Sequence, residues 1–193
     1  MFLKGRGNGD FIESMITCFG APVLADLKCA SLVNLSRCGG EILRDWLDLR
    51  ASLAEKLSVD FAEISVTEHS VLLLIYRERS LLHTLSSDGV RDFLSQFGYY
   101  VGEEPTSAAP YIDRLRERFR FEIPHEVGVF LDYPLEDVVG FIENGGRNAK
   151  FAGYWKVYGN EIEALRKFEA YRQAEAEYAS LLLQRAQGLT EAA

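Results

Sequence analysis

Long apolar runs are missing from this 193-residue chain. The longest, Val71 to Tyr76, is the length of a strand and well short of the roughly 18 residues a membrane helix needs. The opening Met-Phe-Leu-Lys-Gly-Arg-Gly-Asn-Gly lacks the apolar core of a signal peptide, so no membrane contact and a cytoplasmic location are expected. Excess positive charge is missing too: 21 Lys and Arg stand against 29 Asp and Glu, a net charge of −8. Such a surface repels phosphate backbones unless a local basic stripe overrides it. The best stripe, Arg114, Arg116, Arg118 and Arg120, is interrupted by Asp113 and Glu117 and reads as a solvated helix face. No nucleic-acid partner is expected.

Cysteine is scarce, and Cys18, Cys29 and Cys38 are odd in number and widely spaced. No CxxC pair exists and no histidine lies nearby, which argues against a zinc site and for free thiols. His69, His83 and His125 fall in three different expected elements, so no metal centre is assigned.

What is present suits a folded chain. Hydrophobic residues make up 48% and aromatics 12%, too many for a disordered segment. The length fits one domain over 1–193, with residues 1–9 and 188–193 read as flexible ends.

The periodicity then places the elements. Asp10 and Glu13 make a capping-box pattern ahead of Phe11, Met15, Ile16 and Phe19, a helix stopped by Gly20 and Pro22. Ala21 to Leu35 is apolar without a period and reads as extended or irregular. Gly39 and Gly40 punctuate the chain before a helix on Ile42, Trp46, Leu49, Leu53 and Leu57. Ala62, Ile64 and Val66 alternate with polar residues and pair with Val71–Tyr76, a hairpin whose second strand is buried on both faces. Helices follow over Ser80–Leu85 and Asp88–Phe97, then a loop over Gly98–Pro105 and a helix capped by Ser107. Pro124 starts a helix through Val127, Phe130 and Leu131; Tyr133-Pro134 breaks it, and Leu135–Glu143 resumes until Asn144-Gly145-Gly146. Phe151–Tyr158 alternates as one strand, and Asn160 with Glu163 opens a helix of about 40 Å if unbroken to Gln187. The sum is an α+β fold: a small, mostly antiparallel sheet flanked by several helices, with a long C-terminal helix.

Three segments carry a resemblance. Pro124-His-Glu-Val-Gly-Val-Phe-Leu-Asp-Tyr-Pro-Leu-Glu-Asp-Val138, Trp155-Lys-Val-Tyr-Gly159 and Ala21-Pro-Val-Leu-Ala-Asp-Leu-Lys28 resemble a bacterial family known as domain of unknown function 3793. The likeness spans nearly the whole chain and implies kinship without an activity. Family members commonly carry a cysteine before the Ala-Pro where this chain has Gly20, which argues against a thiol mechanism at that point. Asp132 replaces a glycine of the Phe-Leu-Gly-Tyr-Pro turn.

Two chemical readings of His125 and Glu126 stay open. In the first turn of a helix the dipole favours the carboxylate and keeps the imidazole neutral, fit for a base or donor. The structural alternative, which a lone His-Glu pair favours, is that Glu126 assists the helix start and His125 bonds locally. Lys28, Arg77 and Lys156 are cations in apolar or strand-like surroundings, and Lys156 shares an expected strand face with Tyr154 and Tyr158. Lys28, Arg77, His125, Glu126, Tyr133, Lys156 and Tyr158 are therefore the candidate ligand-binding residues, suited to a small anionic or aromatic ligand. The glycine clusters Gly5–Gly9 and Gly145-Gly146 fit no phosphate loop, and no cofactor is assigned. A competing reading is a homodimer formed through Leu181, Leu182 and Leu183, which cannot all face one core.

Overall fold

Two helices start the chain because apolar residues recur every three or four positions and then meet a proline. Helix α1 (Asn8–Phe19) buries Ile12 and Ile16, and a four-residue helix α2 (Ala21–Leu24) carries Pro22 in its first turn. Strand β1 (Ala30–Ser36) follows, then helix α3 (Ile42–Leu57) and the hairpin β2 (Asp60–Val66) and β3 (Ser70–Tyr76). Helices α4 (Glu78–Ser86), α5 (Asp88–Ser95), α6 (Ala109–Phe119), α7 (Val127–Phe130) and α8 (Leu135–Glu143) come next. A second hairpin, β4 (Phe151–Ala152) and β5 (Lys156–Val157), leads into helix α9 (Glu161–Glu191). The computed structural model describes residues 7–36, 41–99 and 105–191; Cys38, the Gly39-Gly40 break and most of the loop expected over Gly98–Pro105 lie outside them. Among the described residues no helix is long and apolar enough to cross a membrane.

The three-stranded sheet has the order β1-β3-β2, antiparallel throughout. Because side chains alternate across a strand, β3 in the middle feeds two cores at once. Val71, Leu73 and Ile75 meet Ile12, Ile16, Val33, Leu35, Trp46 and Leu53 on one face. Leu74 meets Ala30, Ala62, Ile64, Leu81, Phe93, Tyr111 and Phe130 on the other. Helices α1 to α3 thus cover one face and α4 to α8 the other. A third cluster joins the β4-β5 hairpin to α9 through Trp155, Val157, Phe168 and Tyr171. This is the α+β architecture expected from the periodicity, with its small antiparallel sheet and long last helix.

Three local expectations need correction. Ala21–Leu35 is not irregular: it holds α2 and then β1, whose alternation is invisible because helices cover both of its faces. The helix expected from Pro124 is a single turn over Val127–Phe130, since the chain reverses at Asp132 with a left-handed φ of 58°. Phe151–Tyr158 is not one strand but a tight hairpin that turns over Gly153, where the Phe168 ring leaves no space for a side chain. At the ends, residues 8–9 and 188–191, read from sequence as tails, are helical.

Candidate functional site

The family-like segment 124–159 folds back on itself, and one carboxylate controls how. Asp137, in the first turn of α8, is buried at the foot of the second hairpin. Its Oδ2 accepts from Trp155 Nε1 at 2.6 Å, and its Oδ1 accepts from the backbone N–H groups of Tyr158 and Gly159, both at 2.7 Å. Three donors on one buried carboxylate fix the hairpin against α8. Gly128 allows α7 to approach closely, since a Cβ there would lie 2.8 Å from Val138 Cγ2 and 3.1 Å from the Tyr133 ring.

The result is a cavity of about 390 Å³ whose wall includes His125, Tyr133, Phe141, Trp155 and Lys156. His125 meets the edge of Phe141 at 4.9 Å between ring centroids, and Tyr133 stacks on Trp155 at 4.8 Å. Lys156 Nζ donates to the Gly146 carbonyl at 2.5 Å and stands 5.8 Å from the Phe141 ring centre. Residues 31 positions apart in sequence, His125 and Lys156, therefore face one concavity.

The remaining candidates disperse. Glu126 sits in the next position to His125 but points into the protein: it is 1% exposed, paired with Arg118 Nε at 2.7 Å, and accepts from the Tyr99 hydroxyl at 3.2 Å. Burial and the neighbouring carboxylate push the Tyr99 phenol far above its ordinary pKa, while the same carboxylate raises that of Arg118. Arg77 holds three carbonyls, those of Val23, Leu24 and Ser58, and pairs with Asp26 at 2.6 Å. It anchors the C-terminal ends of α2 and α3. Tyr158 donates to the Arg147 carbonyl at 2.9 Å, and Tyr154, at the hairpin turn, donates to Glu175 instead of sharing a face with Lys156. In the arginine stripe of α6, Arg114, Arg116 and Arg118 each bond protein oxygens, those of Phe97, Glu63 and Glu126 among them.

Lys28 opens on a different cavity, of about 580 Å³, together with Asp26, Cys29, Arg79, His83, Thr84 and Asp132. Tyr133 lines the first cavity, and its ring centre lies 5.3 Å from Lys28 Nζ at the second. Tyr171, from α9, lies 5.7 Å from the same ammonium. Desolvation pulls the Lys28 pKa down to about 8, against the opposing pull of Cys29, Asp132 and Glu175. Burial pushes the Cys29 thiol up to about 11, so it stays protonated at neutral pH.

The grip of Asp137 on the hairpin was not recognised from the sequence. Its spacing ahead of a Trp-x-x-Tyr-Gly hairpin is the only signal available, and it is readable only once the hairpin is known. Arg79 and His83 were missed because an exposed helix face with two basic side chains looks like any solvated surface.

The class that emerges is an α+β protein with two cavities, one aromatic and one polar, at the junction of α4, α8, the second hairpin and α9. The model of the family described as "Protein of unknown function (DUF3793)" matches residues 16–190, and the chain belongs to that family. No curated protein and no solved structure matches it.

Proposed function

We propose that this is a cytoplasmic small-molecule-binding protein, or an enzyme, whose ligand occupies the cavity at the Pro-His-Glu segment. The ligand class is a planar or aromatic molecule with an anionic group. The observation that carries the reading is the convergence of His125 and Lys156 on one concavity walled by the Tyr133–Trp155 stack and Phe141. Aromatic walls favour a flat ligand, while the imidazole and the ammonium supply a donor and a charge for its polar end. The free thiols of Cys18 and Cys29 suit a reducing compartment.

A thermal-shift screen of aromatic carboxylates tests this. A ligand at about 100 times its Kd stabilises the fold by about 2.7 kcal/mol, a shift of several degrees. The shift should disappear in His125→Ala and Lys156→Met. If no aromatic acid shifts the wild type, or if both variants respond like it, the reading fails.

A second reading, a homodimer through the distal part of α9, draws on Leu181 and Leu183, which are 50% and 44% exposed. Light scattering that gives the monomer mass at high concentration would eliminate it.

A further inference from the structure

The polar cavity contains an amine unlike the other lysines of the fold. Lys56 Nζ pairs with Glu13 at 2.7 Å, Lys150 donates to the Gly159 carbonyl at 2.6 Å, Lys156 donates to that of Gly146, and Lys167 pairs with Asp132 at 3.3 Å. Among the described lysines, Lys28 alone gives its Nζ to no oxygen. Its neighbours are two phenol rings and a cavity. The carboxylates of that cavity are committed elsewhere, Asp26 to Arg77 and Asp132 to Lys167. Its other basic side chains are not: Arg79 and His83, one turn apart on α4, have no ion-pair partner among the described residues. In a chain of net charge −8, two cationic side chains and an imidazole, none of them in an ion pair among the described residues, line one concavity. That arrangement attracts a small anion.

We propose that Lys28 is a nucleophilic amine that forms a reversible imine with a small anionic carbonyl compound, an α-oxo acid or aldehyde acid, whose carboxylate is held by Arg79 and His83. The unprotonated amine attacks the carbonyl carbon to give a carbinolamine. The carbinolamine then loses the former carbonyl oxygen as water, taking both amine hydrogens, and a carbon–nitrogen double bond remains; no oxidant or reductant enters. With its pKa near 8, roughly one Lys28 amine in four is unprotonated at pH 7.5, against about one in a thousand for an exposed lysine. Cys29 at the same wall is no rival nucleophile, because its thiol is protonated. The site is separate from the His125 cavity, and each proposal stands or falls without the other.

Trapping tests it on the intact chain. Glyoxylate and sodium cyanoborohydride at pH 7.5, followed by peptide mapping, should place the reduced adduct on Lys28 at least about tenfold faster than on Lys56 or Lys150. The rate at Lys28 should rise with pH to a plateau above about 8. The groups facing it that shape this profile are Cys29 and Asp26 beside it, Arg79 and His83 on α4, Asp132 and Tyr133 after α7, and Lys167, Tyr171 and Glu175 on α9. Arg79→Gln, an exposed substitution that leaves folding intact, should slow glyoxylate labelling several-fold and leave labelling by neutral propanal unchanged. Adducts spread evenly over the lysines would overturn the nucleophile. Equal slowing of glyoxylate and propanal, or of neither, would overturn the anion site.

Discussion

Asp137 accepts the Trp155 indole N–H at 2.6 Å, a bond between the first turn of α8 and the tip of a hairpin 18 residues later. Because the same carboxylate also takes two backbone N–H groups, removing it strands one buried and two part-buried donors. Asp137→Ala should cost about 2–4 kcal/mol in urea denaturation, and Asp137→Asn less, since one amide oxygen still accepts. The hairpin wall of the aromatic cavity should loosen with it. In a Trp46→Phe background, which leaves Trp155 as the sole indole, the emission of the alanine variant should move to longer wavelength. A loss under about 0.5 kcal/mol, the scale of an ordinary surface change, would show that the carboxylate does not hold the hairpin.

Glu126 and Arg118 form an unequal pair, and the inequality is measurable. Glu126 is 1% exposed, whereas Arg118 reaches the surface beside the Phe97 ring, 5.4 Å from its centre. Arg118→Met leaves a carboxylate buried with only the Tyr99 hydroxyl as donor, which should cost about 3–5 kcal/mol at pH 7. Glu126→Gln keeps one oxygen that can accept from both Tyr99 and Arg118 Nε and loses only the charge, so about 1–2 kcal/mol is expected. Thermal melts of the two variants check the order. If Glu126→Gln proved the more damaging, Glu126 would be required for something beyond this pair, and the base reading of the His-Glu dipeptide would regain force.

Much of the fold was legible because burial on one face imprints a period. Ile16 with Met15, Trp46 and Leu53, and the alternating Ala62 and Ile64 announced α1, α3 and β2 directly, although on α1 the buried face takes Ile12 and leaves Phe19 exposed. Strand β1 escaped because Ala30, Val33 and Leu35 feed cores on both sides of the sheet, which erases alternation. The 151–158 hairpin escaped because a two-residue strand has no period, and the residue that forces the reversal, Gly153, looks like any other strand glycine until the Phe168 ring is seen against it. The site was legible in its residue types but not in its grouping. His125, Tyr133 and Lys156 converge, while Arg77 and Glu126 are absorbed by other partners and Lys28 turns to a second cavity. Convergence is a tertiary property, and between His125 and Lys156 the chain passes through left-handed turns at Asp132, Gly145, Gly146 and Asn148 that no periodicity announces.

Cys29 should behave as core and not as a reagent. Its Sγ donates to the Phe130 carbonyl at 3.4 Å, and desolvation holds the thiol near a pKa of 11. Under native conditions at pH 7.5, iodoacetamide should therefore modify Cys29 at least about a hundredfold more slowly than free cysteine, and only unfolding should release it. Peptide mapping after timed alkylation gives the rate. Labelling at the free-cysteine rate would mean that the polar cavity opens far enough to expose the thiol.

Lys28 makes the opposite prediction, a residue whose removal stabilises. Its folded pKa of about 8 lies below the ordinary 10.5, so between these values the unfolded chain binds the extra proton and stability rises with pH. Below about 8 both states are protonated, and the folded state carries the full cost of a desolvated ammonium. The partial exposure of Lys28 and its two aromatic contacts offset part of that cost, leaving about 1–2 kcal/mol. Lys28→Met should therefore be more stable than the wild type by about that much at pH 7, with the gap closing as pH rises from 8 towards 10.5. Taking the difference between the two proteins at each pH cancels the titration of Cys29 and the tyrosines, which both share. A variant that loses stability at pH 7, or a gap that does not narrow across this window, would show that the ammonium is well solvated. It would also remove the free-amine population on which imine formation at this cavity depends.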